Sequence, residues 1–136
     1  MVGTHGILMQ EFLSRAKPKQ KKHFSELRAE LLALPEIEES LEIDELRGDW
    51  CPTYRVKGKD LAWVHFDQRL WISLPLEPTF EKKVLQNENL DEAVLEQVKE
   101  AEEVGDVKLT TIELTSADEI SSVLSLLKLR HSFLST

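Results

Sequence analysis

His65 stands two residues after Trp63 and two before Asp67. In an extended strand, residues two apart share a face, so this spacing predicts that an indole, an imidazole and a carboxylate meet on one side. A histidine beside a carboxylate titrates in a useful range and could serve as general base, proton shuttle or metal ligand. No serine or cysteine nucleophile motif accompanies it, and one imidazole supplies only one metal ligand. A structural, hydrogen-bonded histidine is therefore the competing reading. The other histidines, His5, His23 and His131, form no HxxxH or HExxH pattern, so zinc hydrolysis has no support. Cys51, the single cysteine, lies between Trp50 and Pro52. A reactive thiol needs a nearby base and a lowered pKa, and neighbours in sequence supply neither, which makes a buried inert thiol the commoner state. Glycines 3, 6, 48, 58 and 105 are isolated, with no phosphate-cradling spacing. No metal and no cofactor is expected.

The aromatic residues offer a second chemistry. Trp50, Tyr54, Trp63, Phe66 and Trp71 fall within one stretch of the chain. Such rings could line a ligand pocket or stack on bases, and equally could form the core of a small sheet. The surface candidates are Tyr54, Trp63, His65 and Trp71. Basic residues interleave them only as Arg55, Lys57 and Lys59, which is sparse for a single-strand-binding surface.

Charge divides the chain. Residues 1–28 hold six basic and two acidic side chains, whereas 29–136 hold eleven basic and twenty-three acidic ones. The acidic body repels a phosphate backbone, so nonspecific duplex binding is not expected of it, and nucleic-acid contact is expected only through the leading segment. There Arg15, Lys17, Lys19, Lys21 and Lys22 cluster around Pro18, either as a solvated tether or as a patch for nucleic acid or an acidic partner. The opposite extreme is Glu36, Glu38, Glu39, Glu42, Asp44 and Glu45, which lacks the glycine of a calcium loop and reads as an exposed acidic helix face.

Elements to position these residues follow from periodicity. Leu8 and Phe12 suit a short helix or an arm, and Phe24, Leu27, Leu31 and Leu34 recur at helical spacing before Pro35. Ile37 and Leu41 continue that face. From Trp50 to Leu74 the pattern alternates around Lys57-Gly58 and Asp67-Gln68-Arg69, predicting a three-stranded antiparallel meander. Within its second strand Leu61, Trp63 and His65 share one face and Ala62, Val64 and Phe66 the other. Thr79 and Asn89 offer caps for two short helices, the second ending before Gly105. A fourth strand is predicted at Val107–Leu114. Ser116 with Glu119 then makes a capping box for a last helix carrying Ile120, Val123, Leu124, Leu127 and His131 on one stripe, with Lys128 and Arg130 complementing its dipole. The prediction is an α+β fold: a mainly antiparallel four-stranded sheet, three-stranded meander plus one later strand, packed with helices. Residues 1–23 form a basic arm or short helix and 24–136 a single domain.

A chain of 136 residues with 41% hydrophobic and 31% charged side chains has the balance of one globular domain. With no apolar run of membrane length, no secretory signal and no possible intrachain disulfide, a soluble cytoplasmic protein is expected.

Two stretches, Lys59-Asp60-Leu61-Ala62-Trp63-Val64-His65-Phe66-Asp67-Gln68-Arg69-Leu70-Trp71-Ile72-Ser73-Leu74-Pro75 and Lys108 to Arg130, resemble the luciferase-like domain family. In that family a strand of the form GHLHGD leads into a strand ending in an apolar residue and proline. A helix, a strand and a terminal helix of DLxxALxLLRLSY flavour follow. Asp118-Glu119-Ile120 and Leu126-Leu127-Lys128-Leu129-Arg130-His131-Ser132 echo that ending, and the resemblance covers residues 50–133. Where the family pattern has its first histidine this chain has Trp63, so only His65 and Asp67 carry over. The resemblance implies no luciferase activity, luciferin or cofactor site.

Together these readings make the chain a small binding or protein-interaction module, for a protein or small-molecule partner, with no membrane. Two alternatives stand beside it. One is an enzyme or small-molecule sensor using His65 as acid or base with Asp67 orienting it, and the absence of a catalytic motif sets that reading second. The other is nucleic-acid contact through residues 15–22.

Overall fold

The structure is a computed structural model that describes residues 9–14, 16–44, 49–66, 69–105 and 107–136. After a helical segment α1 (residues 9–14) come α2 (Pro18–Leu32), β1 (Ile37–Asp44), β2 (Asp49–Val56), β3 (Lys59–Phe66) and β4 (Leu70–Pro75). Then follow α3 (Pro78–Leu85), α4 (Glu92–Lys99), β5 (Glu102–Val104), β6 (Val107–Glu113) and α5 (Ala117–Ser135). The six strands form one antiparallel sheet in the order β1-β2-β3-β4-β6-β5.

The α+β class and the antiparallel meander are present, but the sheet has six strands where four were expected. One additional strand is β1, placed on the acidic run that the sequence reading made a helix face. Pro35 and Glu36 stop helical propagation, Glu36 taking φ +60°, and the eight residues from Ile37 pair continuously with β2 from Ile37↔Val56 to Asp44↔Asp49. The other is β5, three residues long, which pairs with β6 across Gly105 at φ +66°. Gly105 thus serves a strand connection, while α4 ends earlier at Lys99.

Helix starts follow local chemistry. Pro18 and Pro78 occupy the first turns of α2 and α3, where a missing N–H costs nothing. The α4 cap is Asp91, whose Oδ1 accepts from Ala93 N–H at 2.9 Å, and not Asn89. Ser116 caps α5 as its sequence predicts, accepting from the Glu119 N–H at 3.3 Å. Because α2 begins at Pro18, Lys19, Lys21 and Lys22 belong to a helix, and the boundary drawn after residue 23 falls inside that helix.

The five described helices pack on one side of the sheet. The Phe12 ring in α1 lies 4.6 Å from Phe66 of β3, and Phe24 of α2 lies 5.6 Å from the same ring. Arg28 bonds Glu39, Lys108 pairs with Glu81, and the Thr110 hydroxyl donates to Gln97 O at 3.0 Å. Tyr54, Val56, Ala62, Val64, Leu70, Ile72, Leu74 and Ile112 fill the space beneath, with Leu27, Leu31, Val94, Val98, Val123, Leu126 and Leu127 from the helices. Full burial of such a side chain is worth about 1.5–3 kcal/mol, so this interface dominates the fold. Among the described residues no helix is long and apolar enough to cross a membrane.

One irregularity orients the sheet. Tyr54 pairs with Ala62 and Arg55 with Asp60, leaving Leu61 without a partner in β2. That bulge puts Leu61 and Ala62 together in the core, correcting the expectation that Leu61 shares a face with Trp63.

Arg130 of α5 clamps the same bulge. It is only 1% exposed, donating from Nε to Asp60 O and Leu61 O, both at 3.1 Å, and from Nη2 to Asp60 O at 2.5 Å. Its fork also grips Glu77 at 2.7 and 3.1 Å, and its guanidinium lies 5.0 Å from the Phe80 ring. The sequence reading made Arg130 a dipole-complementing cation; it is instead a buried tie between α5, β3 and α3.

Candidate functional site

Strand alternation divides the side chains between the helix-covered face and the opposite one. On the opposite face Thr53, Trp63, Ser73 and Thr111 form a row across four strands, set by the pairs Thr53↔Trp63, Trp63↔Ser73 and Ser73↔Thr111. The next row holds His65, Trp71 and Glu113, from His65↔Trp71 and Trp71↔Glu113. Among the described residues no helix lies on this side. Directly opposed residues in such a ladder stand about 5 Å apart, so the two indoles and the imidazole form one continuous patch.

Polar groups lie beneath the rings of the patch, Thr53 and Ser73 both being buried. Ser73 Oγ and Thr111 Oγ1 are 2.9 Å apart and bonded, while Thr53 Oγ1 donates to Cys51 O at 3.4 Å. Arg69 lies 5.7 Å from the Trp71 ring centroid and 3.6 Å from Glu113, so it covers part of that indole while staying tied to the neighbouring strand. Trp63 and Trp71 are half-buried, and His65, 9% exposed, sits lower among them. Cys51 occupies the same face and is buried, with Sγ 3.8 Å from Thr53 Oγ1.

Charged groups rim the patch on the β1 side. Arg55 donates to both oxygens of Glu42 and to Asp60 Oδ1 at 2.9 Å. The Arg55 hydrogen bonds outweigh desolvation and pull the Glu42 carboxyl down to about 2, with Ser40 adding a further bond. Arg55 itself is held above its usual range, chiefly by Glu42.

Of the sequence-predicted surface residues, the structure brings Trp63, His65 and Trp71 together and sends Tyr54 to the other side. Tyr54 is fully buried, donating its hydroxyl to Glu39 Oε2 at 2.8 Å, while Arg28 holds both Glu39 oxygens at 2.7 Å. Burial first, and the Glu39 charge second, push the phenol far above its ordinary value. The odd and even residues of β2 face opposite ways, so Tyr54 cannot join Thr53 and Arg55. Asp67 and Arg15 lie outside the described residues. Lys17, Lys19, Lys21 and Lys22 are exposed around the first turns of α2, remote in sequence and element from this face. Sequence reasoning passed over Ser73 and Thr111, whose only signal is their place on the outward phase of β-branched strands. Among the described residues no group of three or more His, Cys, Asp or Glu is arranged to hold a metal ion.

No family model, curated protein or solved structure gives a significant match to this chain.

Proposed function

We propose that the chain is a small binding module whose recognition surface is the face of the sheet opposite the described helices, centred on Trp63, His65 and Trp71. The observation that carries this reading is the two-row patch itself. It sets two half-buried indoles beside an imidazole and bonded hydroxyls, on a face that no described helix covers. Large amphipathic rings with a few placed polar groups give both contact area and orientation to a ligand. The similarity to the luciferase-like domain family, proposed for residues 50–133, spans every strand that supplies this patch and adds no cofactor to it.

The test is an amide-detected NMR screen of the folded chain with a library of small aromatic and polyol fragments. Hits are expected to shift the amides of Thr53, Trp63, His65, Trp71, Ser73 and Thr111 as one set. The W63A/W71A double variant, which truncates side chains outside the main core, should lose those hits with its remaining spectrum intact. Hits that gather on another surface, or that survive in the double variant, would refute the reading.

A further inference from the structure

The two edges of the sheet are unlike each other. The β5 edge has three residues, short enough to offer little to a passing chain. The β1 edge has eight, paired with β2 along its whole length without a register shift, and among the described residues no other strand lies beyond it. Because hydrogen bonds in an antiparallel pair alternate sides, about half of its residues turn their N–H and C=O away from β2. Its sequence, IEESLEID, contains no proline, no lysine and no bulge; the charges that guard it are all acidic, Glu39 turned inward and Glu38 and Glu42 on the other face, so they discourage acidic and self-pairing strands and leave a basic one unopposed.

We propose that β1 is a docking edge for an extended, basic segment of a partner protein, which adds to the sheet as a seventh strand. Charge selects this occupant. From Glu36 to Glu45 there are six acidic side chains and no basic one. Glu39 is satisfied internally by Arg28 and Tyr54. On the other face Glu38 sits opposite Arg55 in the register, and that guanidinium already serves Glu42 and Asp60. Three carboxylates around one guanidinium leave a net negative strip along the edge, which a basic strand complements.

A second copy of this chain fits poorly. Antiparallel self-pairing about Ser40 would set Glu38 against Glu42 of the other copy, and about Leu41 would set Glu38 against Asp44. Like charges directly opposite destabilise a ladder. Nucleic acid is repelled by the same strip. The far end of the edge adds an apolar contact: Ile43, 56% exposed, faces Trp50, 37% exposed, across the β1–β2 pair. The strand that fits therefore alternates, with basic side chains over Glu38 and Glu42 and apolar ones over Leu41 and Ile43. This docking uses the backbone of the edge and is independent of the Trp63 face.

An end-blocked octapeptide alternating Lys and Val is the probe, titrated into the isotope-labelled full chain at low salt. Binding should perturb amides within residues 37–44 and slow their hydrogen exchange, leaving Trp63 and Trp71 amides in place. Glu38→Lys, at an exposed position, should weaken the peptide between about two- and thirty-fold. The same peptide N-methylated at alternate residues keeps its charge and loses strand hydrogen bonding, so it should not bind. Equal binding of a Glu-Val peptide, undiminished binding of the N-methylated one, or absence of protection in residues 37–44 would overturn the proposal. A concentration-dependent dimer that protects β1 without peptide would overturn it in favour of a second copy.

Discussion

Replacing Arg130 by Met tests whether the buried guanidinium holds the bulge that orients the proposed surface. Met keeps much of the side-chain volume over Phe80 and removes every hydrogen bond. In the native chain Arg130 is 1% exposed and donates to Asp60 O, Leu61 O and both Glu77 oxygens. Losing a donor to a buried acceptor costs about 1–3 kcal/mol, and breaking a buried ion pair from one side about 3–5 kcal/mol. These overlap, and the Glu77 side chain is 44% exposed and can rehydrate, so R130M should cost about 3–4 kcal/mol. For a chain of this size that is a fall in Tm of roughly 10–15 °C. The matched control is R55M. Its partners Glu42 and Asp60 are 39% and 42% exposed, so solvent screening limits the cost to about 1 kcal/mol. Chemical denaturation of both variants, with NMR of the amides of Trp63 and His65, separates the two. R130M should move those amides, because Asp60 and Leu61 set the path of β3 immediately before them. Acid adds a further signature. Burial, the largest single influence, raises the Glu77 carboxyl, but the Arg130 hydrogen bond, a backbone hydrogen bond and the Arg130 charge together outweigh it and the net shift is downward, so this stabilisation is present above the unfolded carboxylate range and lost as pH falls through the folded value. The gap between wild type and R130M should therefore narrow in acid. A cost no larger than that of R55M, or unmoved β3 amides, would refute the clamp.

Two further expectations rest on titration. Glu42 is depressed to about 2, mainly by hydrogen bonds from Arg55, so its contribution holds above the unfolded value and fades between about pH 4.5 and 2; E42Q should cost at most about 1 kcal/mol at neutral pH and nothing at pH 2, by denaturant midpoints. Tyr54, the single tyrosine, is raised by burial and then by Glu39, so phenolate absorbance should appear only as the chain unfolds, and stability should fall by about 1.4 kcal/mol per pH unit above pH 10. Normal tyrosinate titration in a still-folded chain would contradict that burial.

Where local chemistry governs, the sequence was readable. Alternation around Lys57-Gly58 predicted the β2–β3 hairpin, whose two-residue turn carries φ +53° and +76°, the signs a primed turn needs. The Ser116 cap and the Phe24, Leu27, Leu31 stripe were equally legible, as was the outward phase of Trp63, His65 and Trp71. The acidic run was not, because Ile37 and Leu41 are four apart, a spacing that satisfies both a helix and a strand. Glu39 then occupies an inward position that Arg28 and Tyr54, from other elements, help make tolerable.

Short-range pattern by itself thus determined the α+β class, the β2–β3–β4 meander, the Ser116 cap and the shared outward phase of Trp63, His65 and Trp71, since each depends on backbone preference or side-chain phase over a few residues, whereas the caps read at Thr79 and Asn89 fall instead at Glu77 and Asp91. Tertiary structure decided the rest. It converted the acidic run into the long sheet edge, turned Leu61 inward through a bulge, and buried Arg130 at the helix position i+3 from Leu127, facing the core. A charge can sit at such a position only when carbonyls from β3 and the carboxylate of Glu77, just before α3, arrive to meet it. Those partners are 53 to 70 residues away along the chain, beyond the reach of any local pattern.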